Sequence, residues 1–192
     1  MNENTIQYYS QIGQDKFVLD TLKHKRNGFF VDIGTGPPRH LSNTYTLETQ
    51  FDWTGIGIDI KDASEDENIH KDDPDYKKLR PNTHYVIENA LNIDYSKLFK
   101  QYNAPKIIDY LTIDIDPPEL SLECLFLVPI NEYRFSTITF ETDEYRMQEN
   151  FANKSREYLK KNNYMLVNSV NRQDDFYISY ELYTELTGKS PC

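Results

Sequence analysis

The sequence predicts an α/β fold with a mostly parallel seven-stranded sheet that finishes in an antiparallel hairpin. Three observations predict it. Short apolar runs alternate with helix-like polar segments through most of the chain, the pattern of a parallel sheet covered on both faces. The last two apolar runs are separated only by "NRQD" (171–174), far short of the dozen or so residues a parallel crossover needs. The length of 192 residues suits a single domain, 1–192, that can bury a continuous core without disulfides or metals.

The first strand is expected at "GFFVDI" (28–33), and a helix follows in which Leu47 and Phe51 stand four apart behind Ser42 as a cap. "TGIGIDI" (54–60), "THYVIEN" (83–89) and "IIDYLTIDI" (107–115) supply the next three strands. "STITFET" (136–142) is the fifth, and after it Met147, Phe151 and Tyr158 share one face of a helix running to about Lys161. "YMLVNSV" (164–170) and "DFYISYEL" (175–182) form the closing hairpin. Most of these runs are rich in Val, Ile, Phe, Tyr and Thr and are bounded by Gly, Pro, Asn or Asp, as strands are. "KDASEDENIHKDDPDYKKLRP" (61–81) breaks the rhythm. It reads as a solvated loop or short exposed helix, with a lid over a pocket as the alternative. No internal repeat and no linker marks a second domain.

Hydrophobic residues at 38% and charged residues at 27% are ordinary for a globular protein and argue against disorder. No stretch approaches the roughly 18 apolar residues of a membrane span, so no membrane partner is expected. "MNENTIQYYSQIGQD" has no basic start and no apolar core, so no secretory signal is expected either. Cys124 and Cys192 imply no disulfide framework, and the expected setting is a reducing cytoplasm. A net charge of −10 with scattered basic residues argues against a nucleic-acid partner, whose binding leans on neutralising phosphates. The 15 tyrosines fill half-buried positions, or some of them line a pocket for a sugar or aromatic substrate.

Ligands of open parallel sheets bind at the carboxyl ends of the strands. Here those ends carry Asp32, Asp59, Asn89, Asp114 with Asp116, and Glu141 with Asp143. One acid at a strand end is ordinarily a cap; five strands ending in polar or acidic residues point to a site. "FFVDIGTGPP" (29–38) sets Gly34, Thr35 and Gly36 directly after the first strand. A dinucleotide fingerprint needs a third glycine, and this chain has Arg39 there. Pro37 and Pro38 remove two N–H donors, and Asp32 would repel a diphosphate. A positively charged, phosphate-free nucleoside fits better. S-adenosyl-L-methionine is such a ligand, with its ammonium toward Asp32, its chain over Gly34–Gly36, its ribose on Asp59 and its adenine near Asn89 and Ala90.

These residues also carry a resemblance. "SQIGQD" (10–15), "NGFFVDIGTG" (27–36), "SNTYTLE" (42–48) and "WTGIGIDI" (53–60) resemble, in order, the N-terminal half of the FkbM-like family of S-adenosylmethionine-dependent methyltransferases. "IIDYLTIDIDPPE" (107–119), "ITFETDEYR" (138–146) and "DDFYI" (174–178) resemble its C-terminal half. The resemblance implies a Rossmann-like class I methyltransferase and O-methylation, often of a sugar hydroxyl on a glycan or glycosylated metabolite. The matched segments add Asn43 and Ile60 to the cofactor-binding set. Two departures bear on the chemistry. Pro117 and Pro118 stand where relatives commonly carry a glycine, and Thr142 stands where many read histidine. The base is then a carboxylate.

Asp114 is the first choice for general base, supported by Asp116, Glu141 and Asp143, because crowded like charges raise the pKa of one member. Alternatively the cluster holds a divalent metal that acidifies vicinal hydroxyls, as hard oxygen ligands suit Mg²⁺. His24, His40, His70 and His84 share no ligand spacing. Arg146 and Arg156 either orient the substrate or pair with neighbouring acids. The acceptor is a small molecule or glycan; the sequence does not set the oligomeric state. Two rival functions remain open at this point. "DID" (114–116) matches the D-x-D metal motif of glycosyltransferases, and Thr142 with the two prolines would suit an inactive S-adenosylmethionine-binding module.

Overall fold

The computed structural model describes residues 5–61, 76–146 and 151–191. Seven strands form one sheet: β1 (Phe29–Ile33), β2 (Thr54–Asp59), β3 (Thr83–Ile87), β4 (Ile107–Ile113), β5 (Arg134–Glu141), β6 (Tyr164–Val170) and β7 (Asp174–Ser179). Their order is β3-β2-β1-β4-β5-β7-β6. The pairs from β3 to β5 are parallel, and β7 runs antiparallel to both β5 and β6. The sequence-based fold is therefore the observed one.

The two faces of the sheet follow from alternation along the strands. Val31, Ile33, Leu111 and Ile113 face a core closed by α4 (Tyr95–Gln101), α5 (Pro118–Leu127) and α6 (Phe151–Lys161). Phe30 and Tyr110 face the other side, where Val18 and Leu19 of α1 (Gln14–Thr21) pack with Leu47 and Phe51 of α2 (Tyr45–Phe51) and with Trp53. Asp32 lies one residue beyond Val31, opposite Gly57 and Thr112, so it shares the α1–α2 side. α4 starts where Asp94 accepts the Lys97 N–H, and α5 starts with Pro118, whose missing donor costs nothing in a first turn.

Several expected boundaries move. Ser42 accepts the Tyr45 N–H at 3.2 Å, but Thr44 is the residue that precedes the helix. β7 stops at Ser179, whose side chain caps a further helix, α7 (Tyr180–Thr187), so "YEL" is helical rather than extended. β3 ends at Ile87, and Asn89 caps a short 3-10 turn at Ala90–Asn92. Most of the charged segment (62–75), with His70, lies outside the described residues, as do Met147 and Cys192. Its end departs from the solvated reading: Tyr76, in α3 (Tyr76–Leu79), is 5% exposed and Arg80 is 1% exposed.

Candidate functional site

β1 delivers Asp32 into the interior and then turns through Gly34, whose φ of 81° is left-handed. A Cβ on Gly34 would overlap the Asp114 carbonyl, so the glycine lets the ends of β1 and β4 close on each other. The close approach that the sequence assigns to a ligand is thus also an approach of backbone to backbone. The chain next ties itself to β2: Gly36 donates its N–H to Asp59 Oδ2 at 2.9 Å, and Lys61 donates to Oδ1 at 3.2 Å. Gly57 of β2 leaves room for the Tyr76 hydroxyl, which a Cβ would meet at 2.9 Å. No helix starts directly after the turn; α2 begins only at Tyr45.

Above the turn is a cavity of about 460 Å³. Gly34 forms one wall, Ile58 to Lys61 the second, Asn89 to Leu91 the third, and Asp114 to Asp116 with Leu120 the fourth. Of the residues expected to hold a cofactor, Gly34, Asp59, Ile60, Asn89 and Ala90 line this space together. Asp32, Thr35, Gly36 and Asn43 do not line it. Asp32 is 1% exposed and sits beneath the turn, accepting from Thr35 at 3.1 Å and Thr44 at 2.6 Å. Asn43 is buried, donates to Thr112 Oγ1 at 3.2 Å, and supports the Asp114 carboxylate by hydrogen bonding.

A second cavity, of about 210 Å³, adjoins the first. Asp114 and Asp116 line both. Glu141, Asp143 and Asp174 complete its acidic wall, with Gln11, Tyr145, Arg146 and Gln173 around the rest. All four expected catalytic carboxylates are therefore brought to one place. Asp174 was not among them. An antiparallel strand begins where its parallel neighbour ends, and Asp174 at the start of β7 pairs with Glu141 at the end of β5. That geometry is the signal by which the sequence could have revealed it.

Burial dominates the electrostatics here. It pushes Asp114 and Glu141 upward as a facing pair, with the neighbouring carboxylates Asp32, Asp116 and Asp143 acting in the same direction. Asp174 is pushed up to about 7, first by burial and then by Asp114, against a hydrogen bond from Gln14. Asp32 is raised by burial, with Thr44, Arg80 and Thr35 opposing. Arg146 donates to Asp116 at 2.6 Å and also touches Asp143. Arg156 pairs with Asp175 and Glu144, at 2.6 and 3.0 Å, so both arginines serve neighbouring acids. Asp116, Glu141 and Asp143 each offer an oxygen within 4.8 Å of the others, a set able to hold a hard divalent cation. No described histidine lines either cavity.

The fold can be set beside solved structures. A match is found with a protein named as an rRNA-methylase from Clostridium thermocellum, at 14% identity and TM-score 0.54, covering 89% of this chain and 95% of that one. The human methyltransferase 10 domain containing protein matches at 14% identity and TM-score 0.52, over 86% of this chain and 80% of its own. The O-methyltransferase NovP matches at 14% and 0.53, over 87% and 78%. The fold is that of Rossmann-like class I methyltransferases. No family model matches the chain, and no curated protein matches it either. No described helix is long and apolar enough to cross a membrane.

Proposed function

We propose that this chain is an S-adenosyl-L-methionine-dependent O-methyltransferase of the FkbM-like kind, acting in the cytoplasm on a sugar hydroxyl of a glycan or glycosylated small molecule. One observation carries the reading: the nucleoside-sized cavity and the acidic cavity share Asp114 and Asp116, so one carboxylate faces both sides of a transfer. The residues suit the cofactor's charge. Among the described residues, the buried side-chain polar atoms without a partner are three acceptors, Asp32 Oδ1, Asn43 Oδ1 and Glu141 Oε2. Acceptors rather than donors are thus in excess around the site, with Glu141 in the wall of the acidic cavity, which suits a positively charged ligand.

When bound, S-adenosyl-L-methionine would supply a methyl group on a cationic sulfur. Asp59 would receive the ribose diol on the lone pairs that its two backbone donors leave free. Ile60, Asn89 and Ala90 would enclose the adenine. Asp114 would accept the acceptor's hydroxyl proton as the oxygen approaches in line, and its elevated pKa makes it a competent base near neutrality. Glu141 faces it and can share that proton. Thr142 takes no part, because its buried hydroxyl is spent on the Gln173 carbonyl at 2.9 Å.

A net charge of −10 and the acidic wall favour a small polyol over RNA as acceptor. The sheet order supports this reading over a glycosyltransferase built on Asp114 and Asp116. A metal-assisted variant has its own support in the oxygen geometry of Asp116, Glu141 and Asp143, although Arg146 already neutralises part of that cluster. Incubation with labelled S-adenosylmethionine and a panel of mono- and disaccharides tests the proposal. Methylated sugar is expected. Cofactor binding without turnover on any hydroxyl acceptor would leave only an inactive binding module. Turnover that is abolished by a chelator and restored by Mg²⁺ would establish the metal-assisted variant.

A further inference from the structure

Arg80 lies at the end of a run of charged residues, yet its guanidinium is enclosed on every side. Nε donates to Glu48 Oε2 at 2.5 Å, Nη1 to the Pro38 carbonyl and Ser42 Oγ at 3.1 Å each, and Nη2 to Thr44 Oγ1 at 2.7 Å. The rings of Phe30, Tyr45 and Tyr76 surround it at 5.6, 5.9 and 5.6 Å. Pro38, Ser42 and Thr44 all belong to the connection between the glycine turn and α2. Arg80 therefore holds the far end of the segment that Asp59 holds at Gly36.

The hydrogen bonds have a direction. A threonine hydroxyl carries one proton. Thr44 Oγ1 accepts from Arg80, and its proton goes to Asp32 Oδ2 at 2.6 Å. Thr35 gives its own proton to the same oxygen at 3.1 Å. Oδ1 is left buried with no donor among the described residues. The charges are also unequal: one guanidinium stands against two buried carboxylates, Glu48 and Asp32, and Asp59 and Asp114 add to the same sign nearby. Buried charges are stable when paired, so among the described residues the carboxylates of this cluster outnumber its one guanidinium.

We infer that Arg80 is a positioning residue for cofactor binding: through Thr44 it fixes the Asp32 carboxylate directly beneath the Gly34–Gly36 turn, where its charge attracts the cationic amino-acid end of a ligand lying over that turn. The inference rests on the nucleoside-cofactor reading above. Removing Arg80 takes away both the countercharge and the constraint on the Thr44 hydroxyl. Asp32 is then left facing Asp59 from β2, Asp114 from the end of β4, Tyr76 from α3 and Tyr110 from β4, while Glu48 of α2 loses its own partner. Under those neighbours a buried carboxyl takes up a proton and ceases to attract an ammonium.

Two compounds separate this role from plain scaffolding. S-adenosylhomocysteine carries the ammonium; 5′-methylthioadenosine has the same nucleoside without the amino-acid end. In Arg80→Met, affinity for the first should fall at least tenfold while the second changes less than twofold. Arg80→Lys should recover part of the difference. Thr44→Val removes the relay hydroxyl with little change of shape and should show the same selective loss, even if Arg80→Met does not fold. Without any ligand, the ¹³C signal of the Asp32 carboxyl should titrate at higher pH in either variant than in the unaltered protein. Equal loss for both compounds, no loss for either, or an unmoved Asp32 titration would overturn the inference. If the unaltered protein binds neither compound, the cofactor reading fails and takes the ligand assignment with it, while the Asp32 titration still decides the relay.

Discussion

Asp59 has both oxygens engaged by backbone N–H groups, and its side chain also faces the larger cavity. Asp59→Ala should therefore weaken S-adenosylhomocysteine by roughly 1.5–3 kcal/mol for each charge-assisted bond lost. Calorimetry that finds unchanged affinity would reduce Asp59 to a tie for the turn. Asp114 faces both cavities, and Asp114→Asn keeps its shape while removing the basic oxygen. Methyl transfer should fall by about 10² to 10⁴ with cofactor affinity retained. Full activity in that variant would move the role to Asp116, Glu141 or Asp143. Asp114, Asp116, Glu141 and Asp143 were legible because each follows or closes a strand, which fixes where it must emerge. Arg80 was not legible. Its neighbours in sequence are charged, and the hydroxyls, carbonyl and rings that make its burial tolerable come from residues 30 to 48 and from Tyr76.

Gly34 joins two elements, since its missing side chain lets the Asp114 carbonyl approach the end of β1. Gly34→Ala adds a left-handed strain of about 1–3 kcal/mol to a steric overlap with backbone that cannot rotate away. Urea unfolding should show that loss at least, and the cofactor cavity should lose affinity with it; an unchanged midpoint would mean that β1 and β4 separate freely. The antiparallel hairpin could be read in advance because four residues cannot span a parallel crossover. α7 could not, because "DFYISYEL" stays apolar across the boundary and the switch depends on Ser179 accepting the Leu182 N–H. The core helix α4 and the cap at Asn89 likewise rest on local hydrogen bonds that composition does not display.

Over the whole molecule, acids are stacked at one end of the sheet, and their burial has a consequence for stability. Asp174 is raised to about 7 when folded, from an unfolded value near 3.8, and the Asp114–Glu141 pair is raised as well. Between those values the folded state binds more protons than the unfolded state, so stability falls as pH rises, by about 1.4 kcal/mol per pH unit for each fully titrating group. Urea midpoints should therefore increase from pH 8 to pH 5, and Asp174→Asn should flatten the slope near pH 5–7. A protein that weakens steadily over that range on acidification would contradict the acidic wall. Parallel order and site position followed from strand alternation, while the joining of two cavities at Asp114 is a three-dimensional fact that no single segment of sequence carries. The most direct measurement of the central claim is titration calorimetry of the unaltered protein with S-adenosylmethionine and S-adenosylhomocysteine. Both should bind at micromolar level, corresponding to roughly 8 kcal/mol. No heat with either, together with clear binding of a nicotinamide cofactor, would contradict it.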